Sequence, residues 1–253
     1  MRKAVIFCLA LVLASCLPAW SKNSEPALTI GKGARIGVLS LLDPEITHFH
    51  TSRQIQDSFL KTHAVQWPID SLFLEAVKQR LAQMGLEAVP VTPSPGLERS
   101  RHEYFIDNSV TDGLSRACAE EFNHMASDNH VEAFIVLAPG VNDYEHAGSA
   151  RRKELPEYLR GWGFVTKGEQ PTAKPIVFDM TQVLLVSATG GTSLLRAREF
   201  GGAYTDSWET FTPPADLKQM PDEEIDALKP VISGLLTRQS NRIFDQVYVV
   251  GGP

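Results

Sequence analysis

Cysteine is scarce: three in 253 residues. Cys8 and Cys16 fall in the apolar amino-terminal stretch, so the body of the chain holds only Cys118. One thiol cannot close an intrachain bridge, which excludes a disulfide framework. Leu114, Cys118, Phe122 and Met125 recur at helical spacing, so Cys118 is expected on a buried helix face rather than as a reactive thiol. Positive charge is also short, with 24 Lys and Arg against 30 Asp and Glu. Without the first fifteen residues the balance is 22 against 30, or −8. Nucleic acids and anionic membrane surfaces both attract a positive surface, so neither is an expected partner.

Long hydrophobic runs are missing too. Ala4 to Ala14 is unbroken, but Pro18 interrupts the pattern before the ~20 residues that a membrane-spanning helix needs. No later stretch is apolar enough to span. Met1-Arg2-Lys3 ahead of the run supplies a positive flank, and the whole reads as a secretory signal. The body is then expected to be soluble after export. Other absences remove chemistries. Gly190-Gly191 is not followed by the Lys and helix of a phosphate loop, and no histidine follows His146.

Two processing sites compete in the leader. Ala19-Trp20-Ser21 suits an ordinary signal peptidase, with a mature chain starting at Lys22. Leu13-Ala14-Ser15-Cys16 resembles the bacterial lipobox. That resemblance implies a diacylglyceryl thioether on Cys16, cleavage before it and acylation of the new amino terminus. Two or more acyl chains anchor stably where one does not. Leu17, rather than Asp, follows the cysteine, which by the same resemblance implies transfer to the outer membrane. The expected division is residues 1–15 as signal, 16–33 as lipid-anchored tether and 34–253 as one globular domain.

Within that domain "ARIGVLSLL" (34–42) reads as a buried strand and "EITHFHT" (45–51) as a second strand with alternating polarity. Ile69, Phe73, Val77, Leu81 and Met84 mark one helix face, with Asp70 as amino-terminal cap and Gly85 as carboxyl-terminal cap. Strands are predicted at 86–91 and 131–139, with a helix at about 111–126 between them. Residues 142–168 are polar and punctuated by Gly, predicting a long loop with a short helix. Residues 174–202 read as a hairpin turning at Thr189-Gly190-Gly191. Residues 203–220 read as irregular, and 222–247 as a helix that Pro230 restarts or kinks. The expected fold is a single α/β domain: a mixed sheet with packed helices, an antiparallel edge hairpin and a C-terminal helix.

This order of elements resembles the periplasmic lipoproteins that include the curli-assembly lipoprotein, the activators of penicillin-binding proteins and the TolB amino-terminal domain. Gly85-Leu86-Glu87-Ala88-Val89 is similar to their strand after the first helix, and Thr189-Gly190 to their hairpin turn. The resemblance spans roughly residues 34 to 248. "EITHFHT" and the 142–175 insertion depart from it. It implies a non-enzymatic binding or accessory role in the bacterial envelope, on the periplasmic side of the outer membrane, with an envelope protein as partner and the membrane reached through lipid alone. A soluble periplasmic or secreted protein is the alternative address.

Catalytic motifs do not survive comparison with their requirements. Gly140, Asn142 and Asp143 after a buried strand resemble the third block of the GDSL-type esterases, where the Asn helps hold an oxyanion. That family also needs a late Asp-x-x-His, and this chain has none, so the segment reads as a turn. His48 and His50 share one face of a strand and are the candidate metal pair. A site needs a third ligand, and none stands in a recognisable half-motif, so the competing reading is a half-exposed edge strand with polar residues on one face. No catalytic residue, metal or cofactor is assigned; a hydrolase or metal-dependent enzyme with an unrecognised site is the alternative function. The remaining signal is aromatic. Tyr158, Trp162 and Phe164 in "YLRGWGF", and Tyr204 and Trp208 in "AYTDSWETF", are candidate anchors for a protein partner, or else rings covering the sheet. Arg151-Arg152-Lys153 reads as a solvated charge run.

Overall fold

The computed structural model of this chain describes residues 28–99, 114, 116–139, 161–168, 174–188, 197–201 and 204–251, with backbone alone for 197–205. The Cys16 lipobox, the Gly140–Asp143 turn, Arg151–Lys153, Tyr158 and the Thr189–Gly191 turn lie outside these residues.

Strands and helices are numbered here in chain order among the described residues. The longest strand, β8 (Ile176–Ser187), is buried at every interior position. Both faces carry apolar residues, so it reads as a central strand, and at ~3.3 Å per residue it runs ~40 Å. No other strand matches that length. Along one edge, β7 (Gly161–Lys167) and then β6 (Ala133–Pro139) lie head to tail: Gly161 stands opposite Met180 and Pro139 opposite Thr181. Along the other edge, β9 (Ala197–Gly201) and β10 (Tyr204–Ser207) keep one register, with Gly201 opposite Gln182 and Tyr204 opposite Asp179.

The next layer outward repeats the division. β2 (Arg35–Ser40) runs parallel to β6, and β3 (Glu45–Thr51) runs parallel to β7, with only residues 41–44 between them. Edge strands β5 (Glu87–Pro90) and β4 (Phe59–Ala64) flank β2 and β3. The nine-stranded sheet is therefore two half-sheets joined by β8. Trp162 crosses the seam, donating from Nε1 to the Asp43 carbonyl at 3.3 Å.

Helices cover both faces of the β2–β5–β6 half. On one face α1 (Ile69–Gln83) and α5 (Lys229–Phe244) pack Phe73, Val77, Leu81, Ile232 and Leu236 against Val38, Ile135 and Val183. On the other, α2 (Pro95–Arg99) and α3 (Arg116–Asn129) pack Leu97, Phe122 and Met125 against Phe134, Val136 and Leu184. Cys118 is buried in this second cluster. Gly85 ends α1 at φ +73, with Gly85 N–H donating to Ala82 and Leu86 N–H to Leu81, the two bonds of a Schellman cap. A short helix, α4 (Asp222–Asp226), precedes α5, and Pro230 sits in the first turn of α5.

The fold class is the expected one, a single α/β domain with a mixed sheet, an antiparallel outer partner for β8 and a C-terminal helix. Several local expectations are corrected. Leu28–Gly31 is not tether: it forms β1, paired in parallel with β11 (Val247–Val250) after the last helix. The alternating Leu28 and Ile30 side chains are buried, which holds the segment in the fold. Asp70 does not cap α1, because the helix begins at Ile69 and Pro68 occupies the cap position. Asp70 instead complements the helix dipole within the first turn. Residues 161–167, expected in a loop, are a buried strand, as its Trp, Phe and Val require.

Gly163 shows how closely the β3–β7 ladder is built. A Cβ there would stand 2.1 Å from the Thr47 carbonyl oxygen and 2.6 Å from the Phe178 ring. The first neighbour is backbone and cannot rotate away. Gly163→Ala is expected to cost several kcal/mol of stability, in the range of overpacked core sites or above it, ~1–3 kcal/mol. Urea unfolding at neutral pH measures this; an unchanged midpoint would sink the claim.

Candidate functional site

Strand alternation turns Ile46, His48 and His50 to one face of β3, and all three are buried. The antiparallel register brings His63 of β4 opposite Ile46, onto the same face and diagonal to His48. The parallel register brings Thr166 of β7 opposite His50 and Phe164 opposite His48. Three strands thus converge on one polar chain. His63 Nε2 lies 3.4 Å from His48 Nδ1, His48 Nε2 lies 2.8 Å from Thr166 Oγ1, and Thr166 Oγ1 lies 2.8 Å from His50 Nδ1.

A hydroxyl has one proton, so Thr166 donates to one imidazole and accepts from the other. The chain therefore has two self-consistent polarities. In one, His50 carries its proton on Nδ1 and presents a lone pair at Nε2. In the other, Thr166 donates to His50 Nδ1, and His50 Nε2 is an N–H donor. Either polarity pairs the four ring nitrogens inside the chain with neutral rings.

Neutrality follows from the surroundings. Phe164 stacks on His48 at 4.2 Å between ring centroids, and Phe59 meets it edge-on at 4.9 Å and stacks on His50 at 5.0 Å. Burial pushes His48 down to about 3, with His63, His50 and Lys61 adding repulsion. Burial also lowers His50, against Asp57, which raises it, while Lys218 lowers it further. His63 is lowered by burial and then by Lys61.

His50 forms part of the wall of a cleft of about 370 Å³. Its Nδ1 is held by Thr166, and its Nε2 edge faces Gly168, where an added Cβ would stand 3.1 Å from that nitrogen. The missing side chain leaves Nε2 open. Phe59 and the 211–218 segment form the other walls. Lys61 Nζ donates to the Lys218 carbonyl and ties that segment to β4. Thr166 is the only hydroxyl among the lining residues, and it is buried between two imidazoles. Among the described residues the cleft thus offers a base or donor but no free hydroxyl or thiol.

Two other polar features lie outside this cleft. A cavity of about 470 Å³ lies at the carboxyl ends of β2 and β5, beside Ser40, Asp70, Thr92 and Glu98. That is the usual ligand position in open α/β sheets, but its polar groups are separate rather than joined. A second buried network joins Asp179, Thr181 and Gln239. Thr181 Oγ1 lies 2.6 Å from both Asp179 Oδ1 and Gln239 Oε1, and Gln239 Nε2 donates to the Thr181 carbonyl. Two acceptors cannot both receive the single Thr181 proton, so Asp179 must supply one. Burial raises Asp179 to about 6, in the same direction.

The aromatic candidates are corrected. Trp162, Phe164 and Trp208 are 3%, 0% and 0% exposed, so they cannot act as exposed anchors. Trp162 and Phe164 on β7 and Trp208 just past the end of β10 join the main core cluster, where Phe164 meets Trp208 edge-on at 5.3 Å. Tyr204 lies in β10. The edge-strand reading of His48 and His50 is also corrected: β4 covers β3, and both rings are buried. Among the described residues no three His, Cys, Asp or Glu side chains are placed to hold a metal. Sequence reasoning paired His48 with His50 but missed His63 and Thr166. A hairpin pairing of 45–51 with 59–64 would have exposed His63; Thr166 had no local signal.

No family model matches the chain, and no curated protein matches it. Among solved structures, the hypothetical protein CT253 from Chlamydia trachomatis is similar over 84% of this chain and 96% of its own, at 11% identity and a TM-score of 0.38.

Two outcomes check this site. Unfolded, His48 takes a proton near 6.5; folded, only near 3. Between those values the unfolded state holds more protons, so His48 makes stability fall as pH falls through that window. Asp179 ionises near 3.8 unfolded and near 6 folded, so it makes stability fall as pH rises from about 4 to 6. His48→Gln should remove its own share of the acid-side decline and leave those of His50 and His63 and the Asp179 slope, a change approaching ~1.4 kcal/mol per pH unit in urea melts from pH 4 to 6. Parallel curves for wild type and variant would show that His48 titrates normally. Separately, Trp208→Ala is expected to lose ~3–5 kcal/mol; a melt within one degree of wild type would return Trp208 to the surface.

Proposed function

We propose that this protein is a lipid-anchored component of a bacterial envelope, held through Cys16 on the periplasmic side of the outer membrane, with a binding or accessory role. The observation behind the binding role is the 370 Å³ cleft walled in part by His50, whose Nδ1 is held by Thr166. Pockets of ~300–1,000 Å³ are the size of small-ligand sites. An enzymatic reading is favoured by one feature: His50 Nε2 can act as a base on a ligand that brings its own nucleophile, with the neutral chain behind it carrying the proton toward His63.

The anchor rests on Leu13-Ala14-Ser15-Cys16 behind a positive and then apolar leader. No helix among the described residues is long and apolar enough to cross a membrane. With the fold beginning at β1, eleven residues separate Cys16 from Leu28. At ~3.5 Å each they reach no more than ~40 Å, which keeps the domain close to the bilayer. An envelope protein remains the proposed macromolecular partner, at a surface other than the buried aromatic rings.

Cys16→Ser removes the acylated sulfur and spares the apolar leader. Wild type is expected to partition with detergent and to yield an acylated amino-terminal peptide by mass spectrometry; the variant should turn soluble or stay unprocessed. A wild-type chain starting at Lys22 with a free amine means ordinary signal cleavage and no anchor.

A further inference from the structure

We propose that the His50 cleft is a site for a small zwitterion with an apolar group, of the α-amino acid type. The inference rests on the binding role above and names its ligand. Asp57, Lys167, Asp216 and Lys218 border the cleft; Lys167 has an interaction of its own, and among the described residues Asp57 and Lys218 form no ion pair with each other or with another side chain. The Lys218 ammonium lies over the Phe59 ring, 5.6 Å from its centroid. Asp216, the other acid of the wall, is engaged by its own turn, accepting from the Lys218 N–H at 2.9 Å and from Gln219 Nε2 at 3.1 Å.

A simple anion would meet Lys218 and His50 but be repelled by Asp57; a simple cation would meet Asp57 and be repelled by Lys218. A molecule carrying both charges a few bonds apart answers both. Its ammonium faces Asp57. Its carboxylate faces Lys218 and His50 Nε2–H. That donor belongs to one of the two polarities of the chain: Thr166 donates to His50 Nδ1, His48 Nε2–H donates to Thr166, and His63 Nε2–H donates to His48 Nδ1. The ligand thereby selects a polarity without charging any buried ring. Phe59, Phe211, Pro213 and Leu217 supply an apolar surface for its side chain.

The test uses three probes: L-phenylalanine, N-acetyl-L-phenylalanine without the ammonium, and L-phenylalaninamide without the carboxylate. Calorimetry gives affinities, and the Gly168 amide signal in nitrogen–proton correlation spectra reports the cleft. Phenylalanine is expected to bind and shift Gly168, with each blocked form at least ~10-fold weaker, as for loss of one charge-assisted hydrogen bond. Asp57→Asn should abolish discrimination against the acetyl form, and Lys218→Gln against the amide. Both side chains are exposed, so unchanged melts will show that the fold is intact. Blocked forms that bind as well as the zwitterion would overturn the ligand class. So would three silent probes: if a wider set of charged and neutral compounds still shifts Gly168, the binding role stands without this ligand, and if none does, both fail.

Discussion

A strand buried on both faces has no water to meet its backbone, so each N–H and C=O must find a partner along both edges. β8 carries this demand over twelve residues, and no neighbour is long enough to meet it alone. β7 serves one half of the first edge and β6 the other half; β10 and β9 divide the second. The head-to-tail arrangement sets up everything outward of it. β2 must turn at residues 41–44 to continue as β3. The half containing β3, β4 and β7 then has a face of its own, and the histidines occupy it.

On that face the governing constraint is the cost of burying polar groups unpaired. His48 beneath Phe59 and Phe164 is shut off from water, His50 and His63 are partly so, and protonating them there is unfavourable. One threonine hydroxyl resolves the problem for two of them at once, and the third pairs ring to ring. The same rule acts on Asp179, Thr181 and Gln239, but with a different outcome. There the hydrogen-bond count requires a proton on the carboxyl, whereas the histidine chain closes without any added charge. Of these two networks, the histidine chain is the one that ends at an open cleft.

The elements legible in the sequence were those whose burial is periodic. Ile69, Phe73, Val77 and Leu81 announced α1, Gly85 its end, and the apolar run 131–139 its buried strand. The pattern fails where tertiary pairing decides. "GWGFVTK" has two glycines and sits beyond a polar stretch, yet Gly163 is present because the β3 backbone passes against it. β4 is mostly exposed, and its residues alternate too weakly to read as a strand. The aromatic residues looked like anchors because enrichment at interfaces and enrichment in cores involve the same rings; only position in the sheet distinguishes them. His48 and His50 were visible as a pair from strand alternation. The rest of their chain depends on registers with residues 15 and 118 positions away.

The pairing of β1 with β11 also has a mechanical side. With an anchor at Cys16, any pull from the bilayer enters the fold at Leu28. Four matched residues pass part of that load sideways to β11, and so to α5, before it reaches β2. Under the proposed anchor the β1–β11 pair would act as a strain relief. Motion of the membrane would then be taken up by a small two-stranded clasp and a helix, at a distance in the topology from the half-sheet that holds the cleft.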